Sequence, residues 1–317
     1  MTKIVLSIDC GTQSLRSMLF DTNGTLLAKE KIEYPSYYSE KPGWAEQDPS
    51  RFWDALCQTC KSLSISHPDL FNKIEGVGVT TQRDSMINLD VEGLPLRPVI
   101  TWLDQRKAKP VYEPNFIMKS VFKAVGMYES LLKTQTDGKC NWIMQNQPEI
   151  WEKTFKYLQV SGYINFKLTG NFNDSVASQI GHIPFNYKKM RWASGNELPN
   201  YLFRISRSKL PDLVKPGEII GNITKEASLL TCIPENIPVI ACGSDKGCET
   251  IGMGVVDTTM ASISFGTTAT VQTTTKKYFE VLKHMPAYPA TLSGHYNPEV
   301  SKVFPRINGR LKISADI

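Results

Sequence analysis

The chain has 317 residues, 41% of them hydrophobic and 10% aromatic, which is enough apolar material for a packed core and about two domains. The formal net charge of +5 is mild, and no basic, aromatic face stands out, so nucleic acid is not an expected partner. No apolar run approaches a bilayer span, so no membrane partner is expected. Asp9 interrupts the first apolar run where a secretory leader would need continuity. The seven cysteines are therefore expected as reduced thiols in a cytoplasmic protein.

Ile4 to Ile8 reads as a buried strand and Arg16 to Phe20 as its hairpin partner. Thr22-Asn23-Gly24 turns the chain into a third strand, Leu26 to Tyr34. Asp48 is placed to cap a helix with Pro49 at its first position, and Phe52, Leu56, Cys60 and Leu63 then share one face. On that face the C-x-x-C pair Cys57 and Cys60 reads as packing, because a reactive thiol belongs at a helix N-terminus and Cys57 lies two turns inside. Ile74 to Thr80 is a β-rich run. Ser85 to Leu89 and Val99 to Trp102 look like strands on either side of the turn EGLPLRP. Three antiparallel strands, a helix and a further strand suggest an α/β protein with a mixed sheet and helices against it.

The middle of the chain is more helical. Lys139 to Gln147 is expected as a helix stopped by Pro148, and Ser161 as the cap of a short helix, Gly162 to Thr169, ended by Gly170. Pro211 to Gly221 reads as loop, and Ile237 to Cys242 as a strand. Ser262 to Thr275 repeats the logic of the N-terminus: strand, Gly-Thr-Thr turn, strand.

Phosphate groups need several N–H and O–H donors converging on one concave surface, with glycine allowing the backbone to come close. Gly11, Thr12, Gln13 and Ser14 offer these donors at the first hairpin, Arg16 adds positive charge, and Asp9 could orient a magnesium ion through water. An ordinary hairpin is the alternative for either turn alone. It loses weight because Gly266, Thr267 and Thr268 repeat the arrangement. Neither G-x-G-x-x-G opening a helix nor a Walker A sequence is present, which argues against dinucleotide and P-loop folds.

The segment "IDCGTQSLRSMLFD" resembles the first phosphate motif of the FGGY carbohydrate kinases, in the actin/hexokinase/Hsp70 superfamily. The similarity continues through "PGWAEQDPSRFWDAL", "GVGVTTQRDSMINLD", "PVITWLDQR", "YINFKLTGNFNDSVAS" and "LPDLVKPGEIIG", and ends in "IPVIACGSDKGCETIGMGVV" and "ISFGTTATV". The resemblance implies two ribonuclease-H-like domains, each a mixed sheet with flanking helices, and a cleft where ATP, Mg2+ and a sugar or polyol meet. It divides the chain into a sugar-binding domain (1–242), the start of an ATP-binding domain (243–300) and a divergent tail (301–317). The second domain is expected to be incomplete, the tail to be poorly ordered without strand or helix period, and the isolated chain to be weakly active or inactive. A non-catalytic sugar-binding fragment, or half of a split kinase, is the alternative. A homo-oligomer or a complementing C-terminal chain are the macromolecular partners that fit these readings.

By the same resemblance Asp245, in "CGSDKG", is the catalytic base and a magnesium-side charge. Its plain structural alternative is a helix N-cap. Lys246 and Cys248 depart from the residues commoner in that motif. Gln82, Arg83 and Asp84 are similar to the Gln-Arg-Glu of glycerol kinases, and an adjacent arginine and carboxylate can bracket a diol. The alternative is a local Arg–Asp surface pair. Trp102, from the W-x-D-x-R motif, would wall the apolar face of a polyol or sit in the core. Arg106 and Asp174 read as structural. A metal-dependent nuclease fits poorly with so many phosphate donors in the first turn, and an assembly ATPase of the actin or Hsp70 type is set aside on motif detail alone.

Overall fold

Strand β1 (Ile4–Cys10) buries Ile4, Leu6, Ile8 and Cys10 completely, one residue in two, so a single face of the strand is sealed. The structure, a computed structural model, describes residues 3–265, 268–282, 285–303, 306–307 and 310–311. β1 pairs antiparallel with β2 (Ser14–Asp21), and β2 with β3 (Leu26–Glu33). After β4 (Glu46–Gln47), helix α1 (Ser50–Ser66) lays Phe52, Leu56, Cys60 and Leu63 on the sealed face. Cys60 is buried there, and burial pushes its thiol up to about 12, in keeping with a packing role. Asp48 makes the capping bond expected of it: Pro49 already has helical dihedrals, φ −58° and ψ −33°, and the Asp48 carboxylate accepts from the Ser50 amide at 3.0 Å. The one-turn helix α2 (Pro68–Phe71) leads into β5 (Ile74–Thr81), which lies parallel to β1.

β6 (Met86–Leu89), β7 (Val99–Ile100) and β8 (Lys156–Gln159) join β4 in a four-stranded sheet ordered β4-β7-β6-β8. Between β7 and β8 the chain forms α3 (Phe116–Ala124), α4 (Tyr128–Thr136), α5 (Lys139–Asn146) and α6 (Pro148–Lys153), of which only α5 was legible in the sequence. Helix α7 (Val160–Thr169) follows, and Gly170 ends it in the left-handed conformation, as expected. Ser161 is inside this helix, not its cap; its hydroxyl donates to Asp174 at 2.7 Å. A second apolar core, including Phe122, Ile143, Tyr157, Phe185, Trp192 and Phe203, gathers these helices with the short strands β9 (Asn173–Ser175), β10 (Phe185–Asn186) and β11 (Arg191–Trp192) and helix α8 (Leu198–Leu202).

The expected loop at Pro211 to Gly221 contains β12 (Asp212–Val214), parallel to β9, and most of β13 (Ile219–Asn222). Only the turn at Gly217, with φ of 87°, matches the loop reading. Strands this short draw their identity from the neighbour they pair with, not from a period of their own. After α9 (Lys225–Thr231), β14 (Pro238–Ile240) completes a six-stranded sheet ordered β13-β14-β5-β1-β2-β3. β14, β5 and β1 run parallel, so their carboxyl ends open on the same edge.

Helix α10 (Asp245–Gly252) leaves that edge and leads into β15 (Ser262–Phe265) and β16 (Thr268–Gln272). The pair β17 (Tyr288–Pro289) and β18 (Tyr296–Asn297) precedes β19 (Glu299–Val303), which joins a three-stranded sheet ordered β15-β16-β19. The expected loss of strand structure after residue 300 is corrected in part: β19 runs to Val303, and β20 (Arg306–Ile307) pairs antiparallel with β21 (Arg310–Leu311). Two-residue strands are too short to show a period in sequence. Residues 312–317 lie outside the described residues, as do Gly266 and Thr267 of the second turn.

Candidate active site

The carboxyl ends of three parallel strands form the floor of one cleft, which is where open α/β sheets present ligand-binding groups. β1 delivers Asp9 to Gly11, β5 delivers Gln82 to Asp84, and β14 leads into Gly243 to Asp245. The cavity above them measures about 630 Å³ and is lined by Thr12, Gln82, Arg83, Asp84, Trp102, His182, Tyr187, Asp245, Lys246 and Tyr288, among others.

The first turn is closed by Gly11, whose amide donates to the Ser14 carbonyl at 2.9 Å, and by Tyr34, whose hydroxyl donates to the Gly11 carbonyl at 2.8 Å. Among the described residues the amides of Thr12 and Gln13 have no protein acceptor, so two N–H groups remain available at the strand end. The side chains behave differently from expectation. Ser14 is buried. Arg16 turns back to Asp9 at 2.6 Å. The Thr12 hydroxyl donates to Gln82 Oε1 at 3.0 Å and accepts from Trp102 Nε1 at 3.0 Å. Gln47 links Gln82 Nε2, at 3.0 Å, to the Thr12 carbonyl, at 2.8 Å. Thr12, Gln82 and Trp102 therefore form a single wall. Trp102 is half exposed, which places it on the cleft and not in the core.

Arg83 and Asp84 both line the cleft, but they do not pair with each other. Arg83 forks onto Glu299 of β19, at 2.9 and 3.3 Å, and its Nε stands 3.6 Å from Asp245. Its guanidinium also lies over the Tyr288 ring. Asp84 accepts from Lys139 Nζ at 2.6 Å, from His182 Nδ1 at 2.9 Å and from the His182 amide at 3.1 Å. Burial alone would raise the Asp84 carboxyl, but Lys139 and His182 outweigh it and hold the group well below the usual carboxylate range. Asp84 adopts φ of 51°, and Gly181 makes room for it: a Cβ there would stand 2.4 Å from Asp84 Oδ1. Sequence reading missed Lys139, His182 and Glu299. None of them neighbours its partner in the chain, so no spacing signals the contact.

Asp245 opens α10, but Ser244 is the cap, accepting from the Gly247 amide at 3.4 Å. The N-cap alternative for Asp245 is thereby removed. Its carboxylate accepts from the Lys246 amide at 2.7 Å, and its side chain keeps 42% of its accessible surface, facing the cleft. Burial raises this carboxyl above the ordinary range, the charges of Arg83 and Lys246 oppose the rise, and Asp9 adds to it. Gly243 is required at the preceding turn, since a Cβ would overlap Thr291 Oγ1 at 2.0 Å. Lys246 itself is spent on Glu249 at 2.6 Å and Ser264 at 2.9 Å.

No cluster of three or more metal-ligating side chains occurs among the described residues. The charge of Asp9 adds to the rise of the Asp245 carboxyl. A hard cation that takes most of its ligands from water and phosphate needs only one or two protein carboxylates, so this pair fits Mg2+.

The remaining motif residues lie away from the reacting groups. Arg106 sits in the corner between the edge-to-face rings of Trp44 and Trp142, at 3.9 and 4.6 Å from their centroids, and binds Asp104 and Glu46 at 2.7 and 2.9 Å. Asp174 is fully buried and accepts from Ser161, Asn165, the Ser175 amide and Gln179. Both are structural, as expected.

Three antiparallel strands continued by parallel ones, with flanking helices and a cleft at the parallel carboxyl ends, make a ribonuclease-H-like fold of the class that sugar kinases use. The N-terminal domain of the FGGY family of carbohydrate kinases matches residues 4–252, and the chain belongs to that family. The xylulose kinase of Lactococcus lactis is 28% identical over 267 residues, covering 84% of this chain and 52% of the relative. The glycerol kinase of Thermococcus onnurineus is 29% identical over 272 residues, covering 84% and 53%. The xylulose kinase structure from Rhodospirillum rubrum superposes with a TM-score of 0.79 at 21% identity, covering 94% of this chain and 60% of that one. The gluconate kinase structure from Lactobacillus acidophilus gives a TM-score of 0.77 at 24% identity, covering 94% and 59%. The chain thus spans about half the length of these curated relatives. No helix among the described residues is long and apolar enough to cross a membrane.

Proposed function

We propose that this chain supplies the acceptor-binding side and the phosphate-facing floor of a carbohydrate kinase that moves the γ-phosphoryl group of ATP to a hydroxyl of a sugar or polyol. On this reading residues 1–242 form the sugar-binding domain and residues from 243 onward begin the nucleotide-binding domain. The observation that carries it is the meeting of Asp245, Arg83, Asp84 and Trp102 in one cleft, at the carboxyl ends of three parallel strands.

Arg83 and Asp84 act as donor and acceptor toward the substrate hydroxyls, and Trp102 backs the carbon chain. Asp245 accepts the proton of the attacking hydroxyl as its oxygen bonds the γ-phosphorus and the bond to the β-phosphate oxygen breaks. A carboxylate raised by burial is the stronger base for that task. The free amides of Thr12 and Gln13, with Gly11, face the phosphates; Asp9 and Asp245 would hold Mg2+, which neutralises phosphate charge when bound.

Binding is tested on this chain by thermal shift with glycerol, xylulose and gluconate, and with ATP and Mg2+. One acceptor should stabilise the protein, by about 2.7 kcal/mol at a hundredfold excess over its dissociation constant. Arg83→Ala should remove the acceptor shift and leave the nucleotide shift. An unchanged acceptor shift in Arg83→Ala overturns the site, and turnover is read separately as acceptor-dependent ADP release.

A further inference from the structure

His182 is absent from every motif of the sequence and from the chemistry above, yet its ring lines the cleft with 30% of the side chain accessible. Its Nδ1 faces Asp84 Oδ2 at 2.9 Å. That same oxygen takes the Lys139 ammonium at 2.6 Å, and Asp84 Oδ1 takes the His182 amide at 3.1 Å. A carboxylate held by a lysine and a backbone N–H is ionised, and an ionised carboxylate only accepts. The proton of a neutral imidazole in this position therefore sits on Nδ1. Nε2 is left with a lone pair and has no protein partner among the described residues. On the ring's packed side lies Phe203, edge-on at 6.2 Å.

We infer that His182 is a substrate-contacting, specificity-determining residue, whose Nε2 accepts a hydrogen bond from a hydroxyl of the sugar or polyol. Asp84 and Lys139 then serve a second purpose: they fix the tautomer that makes Nε2 an acceptor. Gly181, where a Cβ would strike Asp84, allows the ring and the carboxylate to meet. The pocket therefore penalises deoxy analogues that lack the hydroxyl facing Nε2. The inference rests on the kinase reading above, and its test separates the two.

Asparagine reproduces the Nδ1 donor toward Asp84 but has nothing at Nε2. His182→Asn should keep the melting temperature of the ligand-free protein and bind the strongest of glycerol, xylulose and gluconate about tenfold more weakly, as one lost hydrogen bond requires. Equal affinity in His182→Asn and wild type overturns the assignment while leaving the kinase reading intact. A wild-type protein that binds none of the three overturns both. The ligand-free wild type gives an independent readout: ring nitrogen NMR at pH 8, with the His182 signal identified by its loss in His182→Asn. A protonated Nδ1 with bare Nε2 is expected, and the Nε2–H tautomer overturns the assignment whatever binds.

Discussion

Arg83 with Asp84, and Asp104 with Arg106, look alike in the sequence: an arginine and an aspartate one or two residues apart in the turn after a strand. In the structure the second pair is closed on itself. Arg106 binds Asp104 and Glu46, two tryptophans pack against it, and both side chains are almost wholly buried. The first pair is split. Each member takes a partner from a distant part of the chain, Glu299 for Arg83 and Lys139 with His182 for Asp84, and each keeps an edge toward the cavity. Two aspartates with raised carboxyls repeat the lesson. Burial raises both Asp174 and Asp245, but Asp174 is enclosed by four donors while Asp245 is open to the cleft. A perturbed carboxyl marks a functional group only where a reactant can reach it.

The largest expected effect separates these two aspartates. In a version with a complete nucleotide-binding domain, Asp245→Asn should lower phosphoryl transfer by about 10²–10⁴-fold, the usual worth of a positioned base, while acceptor binding stays within a few fold. ADP release and thermal shift measure the two quantities. Near-native turnover would make Asp245 another structural acid and erase the distinction.

Arg106→Ala should cost about 3–5 kcal/mol of folding stability, because it leaves Glu46 and Asp104 buried without their cation. Arg83→Ala should cost less, since Glu299, though buried, keeps Ser301 and Gln272 as hydrogen-bond donors, and Arg83 itself borders the cleft. Denaturant midpoints compare them, and equal losses would show that the cleft pair is as structural as the closed one.

The smallest effect is a pH dependence. Asp174 titrates at about 6 when folded, because burial outweighs its hydrogen bonds. The unfolded chain titrates near the ordinary value of about 3.9. Between these values the folded state binds more protons, so the contribution of Asp174 is fully present below about pH 4 and falls as pH rises through about 6. The stability advantage of wild type over Asp174→Asn should shrink across that window by about 3 kcal/mol at most. A gap that is flat or widens with pH would place the Asp174 proton elsewhere.

The sequence by itself determined the elements whose information is local. The alternation of Ile4, Leu6 and Ile8, the α1 face of Phe52, Leu56, Cys60 and Leu63, and the Gly170 helix stop are set by side-chain period and backbone freedom. The resemblance to the FGGY kinases also placed Gln82, Arg83, Asp84, Trp102 and Asp245 on a common site, and the structure brings them to one cleft. Tertiary structure alone decided what each of those groups touches. Ser161 reads as a cap and bonds Asp174, and Arg16 reads as a phosphate contact and folds onto Asp9. Short strands such as β12 and β13 exist because a neighbour offers them hydrogen bonds. Lys139, His182 and Glu299 reach the cleft from parts of the chain far from Arg83 and Asp84. Hydrogen bonds and ion pairs act over about 3 Å of space at any separation along the chain, so the pattern of nearby residues carries no trace of them.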